Sequence, residues 1–283
     1  MKKFDLSIVI CAYQMERELK RTVLSCLAPF QVGLHDKSIE IIIANNDFDS
    51  RIELADLPVG VSEVINVTTR SISPVQVMNQ AAKKAKSRNL LLILDGARMV
   101  SPNVVNNTIE ILSRSSNFIS TPIAFHLGPK HQSLSVLEGY NKEQEDLLLE
   151  EINWQSNGNS LFNISSLAGA NPDGFYGSIS ESCAFGISKK MFLRLGGYES
   201  SFISAGGGFA TLDLFKRAVE HKKTKLFVMV DSGSFHQLHG GVSTSPDAPH
   251  QLWHDEYESI RNNKYSIPQI TPTYFGTPVE MFS

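Results

Sequence analysis

The chain has 283 residues, 42% of them apolar and 19% charged, with a formal net charge of −3 and no basic block. That composition describes a globular protein with a real core, in one large α/β domain or two small ones, and it offers no electrostatic basis for holding nucleic acid. Cys11, Cys26 and Cys183 form neither a disulfide framework nor a zinc spacing, and Cys11 and Cys26 read as core fillers in a reducing compartment.

The N-terminal third alternates strand and helix. Leu6 to Tyr13 is an apolar strand, not a signal peptide, because Asp5 interrupts the run and no small-residue cleavage site follows. Glu16 to Leu27 carries Leu19, Val23 and Leu27 on one helical face, and Ile39 to Asn46 is a second strand. A short strand is expected over Glu63 to Thr68, then a helix over Pro74 to Lys86 with Val77, Met78, Ala81, Ala82 and Ala85 inward. Leu90 to Leu94 is an aliphatic run too short for a comfortable helix and suits a strand buried on both faces. It ends on Asp95, followed by the small Gly96 and Ala97, by Arg98, and by Ser101-Pro102, which suits a helix start. Alternating strands and helices predict a parallel, doubly wound sheet, whose strand ends at Cys11-Ala12-Tyr13, Asn45-Asn46-Asp47 and Asp95-Gly96-Ala97 line one nucleotide-sized cleft.

Beyond it, the pattern predicts a helix over Asn103 to Arg114 and a strand over Phe118 to Phe125. One helix is expected over Gln132 to Leu149, with Glu143, Glu145, Asp146, Glu150 and Glu151 on the solvated side. Asn153 to Gly177 is a long loop, of the kind that shapes a pocket. Ser180 to Tyr198 reads as a strand, a short helix from near Ser188 and a Gly-Gly stop. Gly206 to Gly208 precede a helix with Leu212, Phe215, Ala218 and Val219 inward; the arrangement suits a phosphate, though it matches no nucleotide-loop spacing. After the strand Leu226 to Val230, His236 and His239 sit on a glycine-flanked turn, as metal or pyrophosphate contacts or as an ordinary core and surface pair. From Ser245 the chain is Pro-rich and aromatic, a tail that packs over the domain or a neighbouring subunit of a homo-oligomer. No apolar run reaches the roughly 20 residues that span a bilayer, so no transmembrane segment and a cytoplasmic location are expected.

Taken in order, these pieces resemble the family 2 glycosyltransferases of the GT-A fold, over roughly Asp5 to Gly241. LSIVICAYQMERELKRTVLSCL is similar to their first strand and helix, IEIIIANNDFDS to their second strand, and VQVMNQAAKKAKSRNLLLILD to the stretch entering the Asp-x-Asp metal motif. GGYESSF with GGGFATLDLFKRA resembles the acceptor region, and SFHQLHGG the late His motif. The resemblance implies a Rossmann-like, mostly parallel twisted sheet flanked by helices. One domain would cover residues 1–244, with a nucleotide-sugar half to about residue 125 and an acceptor half after it, and residues 245–283 would be an extension packed on it. It implies transfer from a nucleotide-sugar, UDP-linked, to a glycan or small hydroxyl acceptor, with inversion, in surface polysaccharide or glycan synthesis. Ala12, Tyr13, Asn45, Asn46, Asn79, Asp95, Gly96, Ala97, Arg98 and Gly207 would line the donor site. Asp95, His236 and His239 would hold Mn²⁺ or Mg²⁺.

Two departures matter. Gly96 and Ala97 stand where a second metal carboxylate is usual, and Ala210 and Thr211 where the Glu-Asp pair with the base is usual. Arg98 can then supply charge to phosphate directly, and Glu181 and Asp213 rank level as the base, with Glu199 behind them. The missing carboxylates also fit a degenerate GT-A domain that binds nucleotide or glycan without turnover. A nucleotidyltransferase fits less well, since no Gly-rich loop with a basic residue follows the first strand.

Overall fold

The computed structural model describes residues 4–278. Its elements run β1 (Leu6–Ala12), α1 (Glu16–Ser25), β2 (Ile39–Asn45), β3 (Val61–Asn66), α2 (Val75–Lys84), β4 (Asn89–Ile93), β5 (Arg98–Val100), α3 (Val104–Arg114) and β6 (Phe118–Leu127). They continue α4 (Gln132–Leu137), α5 (Lys142–Glu151), β7 (Ser165–Leu167), β8 (Phe185–Ser188), α6 (Lys189–Arg194), α7 (Ala210–Val219), β9 (Lys225–His236), α8 (His250–Arg261) and β10 (Thr273–Phe275). Among the described residues no helix is long and apolar enough to cross a membrane.

One sheet organises the chain, in the order β10-β9-β6-β8-β4-β1-β2-β3, with β5 and β7 paired off this path. β3, β2, β1 and β4 run parallel, as do β6, β9 and β10; β8 lies antiparallel between β4 and β6. The unbroken aliphatic runs of β1, β2 and β4 follow from cover on both faces. Ile8, Ile10, Ile41, Ile43, Leu91 and Ile93 pack with residues of α1 and α3, while Val9, Ile42, Leu90 and Leu92 pack with α2, α6, α7 and α8. Each such side chain contributes about 1.5–3 kcal/mol on burial. β1 has β2 on one side and β4 on the other, so the strand order reverses there, and a crevice opens at the ends carrying Ala12 and Asp95.

Four local expectations change. The single helix over Gln132 to Leu149 is two, because Gly139 adopts φ +96° and ends α4. Glu145 of the supposed solvated face is fully buried. The turn expected at SGSFH is strand: β9 continues to His236, its Gly233 amide held by Ser101 Oγ at 2.9 Å and Asp231 by the Asn107 amide at 2.8 Å. Between Asp95 and α3 the three-residue β5 pairs antiparallel with that added length of β9. Residues after Ser245 supply α8, which buries Trp253 and Tyr257, and β10, which adds an edge strand to β9.

Candidate active site

β4 ends at Ile93 and delivers Asp95 to the crevice; β9 ends at His236 and delivers the His236-to-His239 loop to the same point. Asp95 Oδ2 lies 2.6 Å from His236 Nε2, and Asp95 Oδ1 lies 3.5 Å from His239 Nε2. The two imidazole Nε2 atoms are 3.2 Å apart. One ligand atom from each residue falls within 4.8 Å of the others, a spacing that suits a metal ion.

Gln132 decides which nitrogen of His236 carries hydrogen. Its Nε2 donates to the His236 carbonyl oxygen at 2.9 Å, so its Oε1 faces the ring, where it accepts from Nδ1 at 2.6 Å. Nε2 is therefore left with its lone pair, aimed at a carboxylate oxygen and a second imidazole. Burial outweighs the pull of Asp95 and holds His236 down to about 4, so the ring is neutral. Burial alone would raise Asp95, but His239, whose protonated form Asp95 favours, keeps it well below the usual carboxylate range. Burial opposes protonation of His239 too, yet Asp95 raises it on balance. Electron pairs converging without enough protons between them fit a divalent cation, and the Gln132 bond on the far nitrogen is the support that metal-binding histidines commonly have.

Beside the triad, register pairs Arg98 with His236, His236 with His126, and His126 with Ser166, so these side chains share one sheet face across β5, β9, β6 and β7. Arg98 is 7% exposed, its Nε and Nη1 are buried without partners, and it forms no ion pair among the described residues. His126 is held down to about 2 by burial first and by the nearby His236 and His131 next, so it adds no charge to the row. A buried guanidinium left unanswered costs several kcal/mol, a cost that an anion placed against Arg98 would offset.

The other expected donor-side residues divide. Tyr13, just after β1, and Phe48, after β2 and under the Arg70 guanidinium, are half exposed. Ala12 is buried, and its carbonyl oxygen accepts from the Asn46 amide at 2.8 Å. Asn45 is occupied by the loop that follows it and by β3, donating to Ser50 O at 2.7 Å and Asn66 Oδ1 at 2.8 Å and accepting from the Asp47 amide at 3.0 Å. Asn46 donates to Ser71 O at 3.2 Å and keeps its buried Oδ1 free. Asn79, expected beside the donor, instead pins the Gly-Gly-Tyr turn: it donates to Tyr198 O at 2.8 Å and accepts from Tyr198 N at 2.9 Å. Gly96 lets β4 close on the Cys11 carbonyl, Ala97 is buried in the core, and Gly207 (φ +90°) packs on Pro74 and Leu94 next to Asp95.

The two base candidates also part. Asp213 is 1% exposed, and both its oxygens are taken: Arg217 Nε donates to Oδ2 at 2.7 Å, and Arg261 donates to Oδ1 at 2.6 Å and to Oδ2 at 2.8 Å. It ties α7 to α8. Among the described residues Glu181 accepts one bond, from Thr211 Oγ1 at 2.7 Å, and keeps its other oxygen free. Glu199 pairs with Arg261 at 3.3 Å. His126 and Gln132 were not singled out from the sequence, although a histidine closing the apolar run PIAFHL was a visible signal.

No protein-family model and no curated protein matches the chain. Solved structures do. Over 83% of its length the chain superposes on the crystal structure of GalNAc-T7 with UDP, GalNAc and Mn²⁺, at 16% identity and TM-score 0.53. The fold is GT-A. The structure of S. aureus TarS aligns with 91% of the chain at 9% identity and TM-score 0.46. Each match covers 43% of the solved chain, so this protein spans less than half the length of those structures. Within its GT-A fold, the Asp95 turn stands at the switch point between β1 and β4, and the two histidines approach from β9.

Proposed function

We propose that the protein is a glycosyltransferase that moves a sugar, with inversion, from a UDP-linked donor to a hydroxyl of a glycan or small acceptor. One observation carries this reading: Asp95, His236 and His239 converge as a cation site beside Arg98, a buried charge whose Nε and Nη1 have no partner among the described residues. A diphosphate answers both at once, since the positive charge of ion and guanidinium exceeds that of the single carboxylate. Asp95, His236 and His239 would hold the ion, and two imidazole ligands favour Mn²⁺ over the harder Mg²⁺. Such an ion neutralises the charge that develops on the leaving diphosphate. Arg98 donates to the same phosphate oxygens, which compensates for the carboxylate missing at Ala97. Tyr13 and Phe48 offer exposed rings to the base. Glu181, with one oxygen oriented by Thr211 and the other free, accepts the proton of the acceptor hydroxyl as it attacks. The GalNAc-T7 structure, with UDP, GalNAc and Mn²⁺, is consistent with this class of donor.

Calorimetric titration with UDP-, GDP- and dTDP-sugars, with and without Mn²⁺, tests the proposal alongside donor hydrolysis. UDP-sugar binding that needs Mn²⁺ and is lost in Asp95→Asn is expected. Glu181→Gln should keep donor affinity and lower turnover by about 10²–10⁴-fold. No nucleotide binding at all would refute the reading. The buried Ala97 favours one alternative, a GT-A domain that binds without turning over, and tight Mn²⁺-dependent binding with no hydrolysis or transfer would select it.

A further inference from the structure

The loop between the two histidines is gripped at one residue, Leu238, by a partly buried ion pair drawn from distant parts of the chain. Leu238 N donates to Glu145 Oε2 at 2.7 Å, and Leu238 O accepts from Arg17 Nη2 at 3.0 Å. Arg17 Nη2 also donates to Glu145 Oε1 at 2.8 Å, which closes the ring of contacts. Arg17 is fixed in turn, its Nη1 donating to Asp146 Oδ1 at 2.7 Å and to Lys142 O at 3.0 Å, and its Nε to Glu18 Oε1 at 2.9 Å. Its neighbour Gln237 is fully buried and donates to Glu18 O at 3.0 Å. Both polar groups of Leu238 are thus used, and the residue immediately after it is His239.

A three-residue step from a strand end out to a glycine pair, Gly240-Gly241, would otherwise leave His239 free to rotate away from Asp95. Nothing in the HQLH sequence itself fixes the second imidazole. A salt bridge elsewhere on α1 and α5 would give little, but here the fork of Arg17 and the carboxylate of Glu145 meet a backbone N–H and C=O of one residue.

We propose that Arg17 and Glu145 are positioning residues for the cation site, holding the backbone N–H and C=O of Leu238 so that His239 meets Asp95 and His236. This rests on the reading of those three residues as the cation site. Neither residue touches the substrate in this role. They act through His239 alone, which separates them from Gln132, whose contact is with His236.

The test titrates Mn²⁺ into the full chain by calorimetry for the unaltered protein, Arg17→Lys, Glu145→Gln and the paired variant Arg17→Met with Glu145→Leu. The paired variant removes both charges together, so neither Arg17 nor Glu145 is left facing the site of a missing partner. Each folded variant should bind Mn²⁺ about 10–100-fold more weakly, the range seen when the support of a metal ligand is removed. A double-mutant cycle then separates positioning from general loosening: on a His239→Ala background the clamp variants should cost nothing further, because the residue they act through is gone. Unchanged Mn²⁺ affinity in a folded clamp variant, or losses that simply add to that of His239→Ala, overturns the clamp. Failure of the unaltered chain to take up Mn²⁺ overturns the cation reading itself, and the clamp with it.

Discussion

Gly96→Ala tests how the site is built at its tightest point. A methyl group at Gly96 would meet Met15 Sδ at 2.9 Å and the Cys11 carbonyl oxygen closer still. Met15 can swing aside, since an unbranched thioether adapts to its surroundings. The Cys11 backbone cannot, because β1 is held between β2 and β4 in register. Relief therefore requires the Asp95 turn to withdraw from β1 by about an ångström, at a cost of about 1–3 kcal/mol for overpacking. In a chain of this size the midpoint of thermal unfolding should fall by roughly 2–12 °C. The same withdrawal moves Asp95, the adjacent residue, out of its 2.6 Å contact with His236. A displacement of that size in a positioned group commonly costs about 10²-fold, so Mn²⁺ affinity and donor binding should fall together. Thermal unfolding and Mn²⁺ calorimetry read both effects, with Gly169→Ala, whose methyl meets nothing within 4 Å, as the neutral control. A Gly96→Ala protein with unaltered midpoint and Mn²⁺ affinity would refute the close approach of β1 and β4 as the support of Asp95.

Asp213→Asn should unfold more easily by about 3–5 kcal/mol, because Arg217 and Arg261 lose a buried shared partner, while Mn²⁺ binding in the folded protein stays near the unaltered value. A stability change under 1 kcal/mol in urea titrations would contradict this role. Glu145 gives a pH dependence whose sign is opposite to that of an ordinary surface carboxylate. Burial raises it to about 7 from 4.5, so between those limits the folded state holds its proton more tightly than the unfolded chain does. Stability from this group is therefore greatest below pH 4.5 and is lost as pH rises toward 7, the range over which Glu145 ionises against Arg17. Denaturant titrations at pH 5 and 8 should show that slope flattened in Glu145→Gln; an unchanged slope would exclude Glu145 as its source.

Local pattern alone determined much of the chain. β1, β2 and β4 are legible because a strand covered on both faces must be aliphatic throughout, and their ends are marked by the change to Tyr13, Asn46 and Asp95. Ser188 as the start of α6 is legible too, since its hydroxyl accepts from Met191 N at 3.1 Å in the way an N-cap must. Asp95, His236 and His239 could be proposed as a group, but only by lining up motifs, since 140 residues lie between Asp95 and His236 and no local rule joins them.

What required the tertiary structure was the partner of each charge. Glu145 and Asp213 look alike in sequence, acidic residues on amphipathic helices, and either could face water. The fold buries both, one against Arg17 and Leu238 and the other against Arg217 and Arg261, so one supports the histidine loop and the other joins two helices. Arg98 shows the converse: the sequence places it beside the donor phosphate, but only the pairing of the three-residue β5 with β9 shows that it is buried there with Nε and Nη1 unpartnered among the described residues. Periodicity encodes which face of an element is apolar, because that depends on residues three or four apart. It carries no information about which distant charge meets which, because that depends on how the strands are ordered in the sheet, and in this protein that order decides the role of every ionised group around Asp95.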